Sequence, residues 1–337
     1  MEDSPPSEIP AAIVEQLRLD ELSDCDSSVI GYDPASFLMI FRLRGRNMAV
    51  ILKPLGCLAA WGALWALVFS LLDPVRRAML PLEDLIAPLL PPVSFLLVFR
   101  LGRAAVRFWD SRAAMGKLVE VCRVLASTAA VCCASHAELR EGIARWTCVF
   151  PIAVKNFLRP LRKQGVSPEL RLKNRRIEVG GLLSEPEFDE LVRADSYGPI
   201  FVLNRLRQLA FRASVELEVD APLRAIIFRQ MNEHLDTLTG AWGAMERING
   251  TPLPYVYIAH LRTFLVVYLL IWALQAIAHH GALALPVVLA VSWGFLGIEA
   301  AAVECERPFL WGANHLKLGT MCIVVARNVA QTLRDTS

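Results

Sequence analysis

The chain has 337 residues, 55% of them hydrophobic and 20% charged, with a mean hydropathy of +0.42. Length alone allows two or three soluble domains, but the apolar excess points instead to a membrane protein with a large water-facing part. A net charge of only +2 gives no sign of a nucleic-acid binder with a basic face, so positive charge matters here by position rather than by total.

The eight cysteines are Cys25, Cys57, Cys122, Cys132, Cys133, Cys148, Cys305 and Cys322, and none forms a Cys-x-x-Cys pair. They are expected to be reduced, buried small side chains rather than zinc ligands or a disulfide framework.

Residues 1–34 read as an acidic, polar arm with Pro5, Pro6 and Pro10 and a short helix over Ala11–Leu22. The arm has neither the basic start and apolar core of a secretory signal nor the acid-poor pattern of a transit peptide. After the turn Tyr32-Asp33-Pro34, Ala35–Arg46 mixes apolar and basic residues and is expected to lie as an amphipathic helix at a membrane surface. Leu55–Leu72 carries no charge and holds Trp61 and Trp65. With Ile51 and Leu52 it reaches the roughly 20 residues of a first transmembrane helix. Asp73-Pro74 ends it, and a short loop with Arg76, Arg77, Glu83 and Asp84 leads to a second apolar segment, about Leu85–Val106. Pro88, Pro91 and Pro92 are expected to break or kink that segment. A broken span is tolerated where it lines protein or a water-filled cavity.

Within that segment Phe95 and Phe99 stand one helical turn apart, and Arg100, Arg103 and Arg107 follow at spacings of three and four. If several subunits turned this face to one axis, an apolar ring would open into a basic chamber, one way to build an anion pore. The competing reading is that the rings pack against neighbouring helices while the arginines snorkel at the membrane edge.

From Arg103 the pattern is one of long soluble helices: Arg103–Cys133, then Ala137–Lys163 with Pro151 as a kink. Gln164–Glu187 is a connector with short elements, and Pro199–Val219 and Pro222–Ile248 are amphipathic helices opened by proline. Asn249-Gly250-Thr251-Pro252-Leu253-Pro254 is a rigid turn, formally containing a glycosylation sequon. Tyr255–Ala278, with Arg262 near its start, is the third span. His279-His280-Gly281 is a tight loop, and Ala282–Val303 is the fourth span. Glu299, Glu304 and Glu306 lead to Arg307-Pro308-Phe309, and Leu316–Thr332 closes the chain as a helix. Basic residues before the first span and after the second, with none between the third and fourth, place both termini and the long middle region on the cytosol-like side.

The expected organisation is therefore an all-α membrane protein of four transmembrane helices with a large helical cytosol-side body. The arm is 1–34, the interfacial helix and first two spans 35–107, the helical domain 108–254, the last two spans 255–303 and the C-terminal segment 304–337. No reaction machinery is evident. There is no Gly-x-Ser-x-Gly elbow, phosphate loop, His-Glu-x-x-His or dinucleotide fingerprint, and the His136-Ala137-Glu138 spacing lacks the Pro-Cys-x-x-Cys partner of the zinc deaminases. Neither an enzyme nor a cofactor or metal site is expected.

Several stretches in order resemble the bestrophin family of anion channels, especially its bacterial and plant or algal branch. They are Phe41-Arg42-Leu43-Arg44-Gly45, Leu96-Leu97-Val98-Phe99-Arg100 with Arg107-Phe108-Trp109, Arg247-Ile248 running into the Asn249–Pro254 turn, and Leu296-Gly297-Ile298-Glu299 followed by Pro308-Phe309. The resemblance implies a homopentamer around a single axial pore conducting chloride and other small monovalent anions through a lipid bilayer. The family's neck maps to Pro91, Phe95 and Phe99, its second constriction to Ile226, and Arg100, Arg103 and Arg107 attract anions. Pro91 departs from the bulky aliphatic residue of animal relatives. So does Leu310-Trp311-Gly312-Ala313-Asn314-His315, which holds no carboxylate where those relatives bind calcium, and calcium activation at this loop is therefore not expected. The alternative is a weakly conducting structural or accessory subunit of a larger complex. The membrane expected is the thylakoid for a plant or algal chain and the plasma membrane otherwise.

Overall fold

The computed structural model describes residues 48–159, 168–194, 198–312 and 314–336. The polar arm, its short helix and the interfacial helix over Ala35–Arg46 lie outside them. Among the described residues the secondary structure is helical, with one isolated bridge between Gly180 and Leu183. The described residues of 48–109 and 251–308 form one compact unit, and those of 110–250 and 309–336 form another.

In the first unit, α1 (Met48–Leu71) is followed by two short helices, α2 (Asp73–Met79) and α3 (Leu82–Ile86), where a loop was expected. Asp73 opens α2 and Arg77 pairs back to it at 2.5 Å, one turn on. A 3-10 turn over Ala87–Leu89 leads into α4 (Leu90–Cys132), a continuous helix of 43 residues. The prolines do not break it. Pro91 and Pro92 fall in its first turn, where the missing amide donors have no intrahelical acceptor to lose.

The unit is completed by α10 (Tyr255–His280) and α11 (Leu285–Glu306), joined by a 3-10 turn at Gly281–Ala284. Gly281 takes φ +64°, a conformation that favours glycine at a helix end. Three stretches are long and apolar enough to cross a membrane, Val50–Leu71, Asp73–Cys132 and Tyr255–Glu306. The last contains both α10 and α11, of 26 and 22 residues, each long enough at roughly 1.5 Å per residue to cross a hydrocarbon core of about 30 Å. Ile51, Leu58, Val93, Leu97, Leu265 and Leu269 belong to one core cluster. Phe69, Ile277 and Val288 belong to a second, nearer the α10–α11 turn. The Trp61 indole N–H donates to Leu270 O at 3.1 Å, satisfying a polar group inside an apolar layer.

The second unit is built on α5 (Ala137–Leu158), which packs against α8 (Gly198–Glu216) and α12 (Leu318–Asp335). Val149, Phe150, Val154 and Leu158 are buried there, each burial being worth roughly 1.5–3 kcal/mol for a large side chain. The connector contains α6 (Pro168–Val179) and α7 (Glu185–Arg193), and α9 (Ala221–Gly250) lies on α8. The Ser184 amide donates to Glu187 Oε2 at 2.9 Å, the reciprocal half of a capping box that starts α7. Cys122, Cys133, Cys148 and Cys322 are buried thiols, and burial pushes Cys148 up to about 12, so it packs rather than reacts. Cys57 departs from the expectation and is exposed on α1.

Candidate functional site

The α4 helix has two unlike faces in its apolar half. Val93, Leu97, Arg100 and Ala104 recur every three or four residues and are buried. The opposite side carries Pro91, Phe95, Val98, Phe99, Gly102, Val106 and Trp109, all exposed. Phe95 is 61% and Phe99 50% exposed, and their ring centroids stand 4.5 Å apart with planes tilted by 50°. Two large rings are thus held against each other on one helix face and remain half or more exposed among the described residues. A contiguous apolar face of this kind on a helix long and apolar enough to cross a membrane suits lipid, another protein surface or the wall of a lumen.

The three arginines after the rings, expected to attract anions together, have unlike surroundings. Arg100 is 0% exposed and its Nη2 donates to Glu306 Oε2 at 2.5 Å, with Glu299 Oε2 at 3.4 Å from its Nε. Glu299 in turn accepts from Arg262 Nε at 2.8 Å, and the Leu253 amide donates to Glu306 Oε1 at 3.3 Å. Two guanidinium groups and two carboxylates thus form a charge-balanced network joining α4, α10, α11 and the Asn249–Pro254 turn. A buried cation at this depth is stable only because it is paired, so Arg100 anchors the helix rather than facing an aqueous chamber. Arg103 is exposed. Arg107 is half-buried and donates to Thr251 O at 2.9 Å and Glu306 O at 3.4 Å. Spacing alone groups the three arginines and does not identify their partners. The available signal was Glu299 and Glu306, two turns apart on one face of an apolar helix, since such acids need cations.

Ile226 lies in the first turns of α9 and is 61% exposed beside buried Ile227. The loop after Pro308 is fixed from within the second unit. Phe309 is buried, and the Arg159 guanidinium carbon sits 4.1 Å from the Trp311 ring centre with Nη2 within 3.5 Å of Leu316 O. The sequon asparagine, Asn249, spends its side-chain amide on Leu158 O at 3.0 Å. Glu138, of the deaminase-like spacing, pairs with Arg212 at 3.3 Å on the surface. His279 lies 3.4 Å from Glu83 and 3.3 Å from Leu80 O.

Comparison with known proteins agrees with this architecture. The Bacterial/Fungal Bestrophin protein family matches residues 30–331. The chain is 29% identical over 299 residues to a voltage-dependent anion channel-forming protein of Nostoc sp., covering 87% of this chain and 90% of the relative. It is 30% identical over 248 residues to one of Mesorhizobium japonicum, covering 72% of each. Among solved structures, a bacterial bestrophin homolog from Klebsiella pneumoniae aligns with a TM-score of 0.71 at 20% identity, covering 84% of this chain and 98% of that one. The all-α membrane fold expected from the sequence is thereby borne out, and the chain belongs to the bacterial and fungal bestrophin family.

Proposed function

We propose that this protein is an anion channel, assembling as a homopentamer that passes chloride and other small monovalent anions passively through one axial pore. Family membership and the names of the relatives support the channel class. The observation that carries the finer reading is the exposed pair Phe95 and Phe99 on a helix whose other face is buried and pinned by Arg100. Rings presented edge-on offer the positive rim of their quadrupole to an anion that has shed part of its water, and an apolar ring also gates by dewetting. In this reading Pro91 forms the upper neck, Ile226 the second constriction, and Arg103 and Arg107 supply the positive potential that concentrates anions, with Arg100 holding the helix. The Leu310–His315 loop lacks carboxylates, and a resident guanidinium, Arg159, stacks on Trp311 within it. This supports a channel that opens without calcium at that site.

The test is the reversal potential of purified protein in planar bilayers under a chloride gradient, for wild type and Phe99→Ala. The expected result is a potential near the chloride equilibrium value, unchanged by calcium, with conductance or selectivity altered in Phe99→Ala. A well-folded pentamer that passes no current would instead make the protein an accessory subunit.

A further inference from the structure

Four helices of the second unit, α5 to α8, line a partly open cavity of about 200 Å³. Its wall is mostly apolar, with Ile152, Phe157, Val179, Phe188, Leu191 and Pro199 contributing, and two polar side chains reach it, Asn156 and Arg175. Space of this size is large for an interior packed at ordinary density, and an apolar cavity of roughly 150 Å³ already accepts a benzene molecule.

The polar lining is asymmetric. Two acids of this corner are engaged elsewhere. Glu178, one turn from Arg175 on α6, is bound by Lys155 Nζ and by the Asn156 amide nitrogen at 3.0 Å, and Glu185 pairs with Arg176 at 3.0 Å. Arg176 also covers the outer side of Phe188, with its guanidinium carbon 5.2 Å from the ring centre. Glu178 orients the Asn156 amide by accepting from its nitrogen. On α6, Lys173, Arg175 and Arg176 stand against Glu169 and Glu178, while α7 carries Glu185, Glu187, Asp189 and Glu190 against Arg193, so the charge that matters at the cavity is the one in its lining, Arg175. The cavity therefore combines an apolar body with a half-buried arginine in its lining, the pattern by which a site fixes one charged end of a small ligand.

We propose that this cavity binds a small aromatic carboxylate, the ring lying among Phe157, Val179, Phe188 and Leu191 and the carboxylate on Arg175. This site is separate from the pore residues and does not depend on their role.

The test uses the purified full chain in detergent, with benzoate as the probe and benzamide and chloride at equal concentration as controls, read by thermal melting and titration calorimetry. Benzoate is expected to raise the melting temperature in a saturable way and benzamide to do so far less. Arg175→Met should weaken benzoate at least about tenfold while leaving the unliganded melting temperature unchanged. Val192→Trp, which fills the cavity from its edge, should abolish binding of both aromatic probes. The proposal fails if benzoate stabilises no more than chloride does, or if its effect survives Arg175→Met. Should Val192→Trp not fold, the Arg175→Met comparison decides alone.

Discussion

Among single residues, the most consequential is Arg100, because a fully buried cation is tolerated only while its partners remain. Removing one member of such a pair costs about 3–5 kcal/mol, whereas replacing both by apolar groups is often nearly neutral. Glu306→Gln is therefore expected to lower thermal stability strongly, since Glu306 holds both Arg100 at 2.5 Å and the Leu253 amide. Glu299→Gln should cost less, on the order of 1 kcal/mol, because Arg262 is half-exposed and recovers water while Arg100 keeps Glu306. The double variant Arg100→Leu with Glu306→Leu should regain most of the loss. Melting curves of the four proteins in one detergent measure this directly, and a double variant no more stable than Glu306→Gln would mean that the charges are not coupled. This network shows where sequence reading stopped. Spacing identifies residues that share a helix face, and so it grouped Arg100 with Arg103 and Arg107. It does not tell which face meets a neighbouring helix, and the partners lie 199 and 206 residues away in the chain.

Elements were more legible than contacts. The starts and ends of the long helices were readable because proline, glycine and loss of apolar periodicity act locally, and α8 to α12 lie close to where the sequence placed them. Two readings differed for definite reasons. The change from apolar to charged side chains near Arg103 was read as a boundary, but backbone hydrogen bonding is indifferent to that change, and α4 runs through it to Cys132. Pro88, Pro91 and Pro92 were read as interruptions, yet proline at a helix start is an initiator. Packing between elements was not legible at all. Gly62 on α1 would place a Cβ 2.7 Å from Leu285 Cδ1 and 3.2 Å from Ile277 Cδ1, so three apolar helices meet closely there. Both neighbours are ends of flexible side chains. Gly62→Ala should therefore stay within about 1 kcal/mol of wild type, its steric cost offset by better helix propensity. Gly62→Phe should lose roughly 1–3 kcal/mol or more through overpacking, as read from melting temperature and yield. Equal stability of the two variants would show that the helices part more easily than this contact implies.

For the whole molecule, exposed apolar surface has to be assigned to a solvent. On the membrane-spanning helices much of it, such as Leu64, Leu67 and Val266, suits lipid. Phe211 and Val215 are different. They are each 58% exposed on α8, in the unit of long amphipathic helices, and Phe211 lies edge-to-face with Phe228 at 6.1 Å. They lie outside the stretches apolar enough to cross a membrane, and a cluster of large apolar side chains left in water favours association. In the pentamer proposed above, the natural cover is a second copy of the same unit. The double variant Phe211→Glu with Val215→Glu should then weaken assembly. Light scattering of the detergent-solubilised protein, corrected for bound detergent, should fall from about five times the 37.4 kDa chain mass towards that of one chain. Arg229→Glu, an exposed charge swap on α9, serves as the control and should leave the mass unchanged. If the double variant keeps the wild-type mass and melting temperature, the α8 patch lies outside the subunit contact, and the exposed stripe on α4 becomes the remaining candidate for holding the copies together.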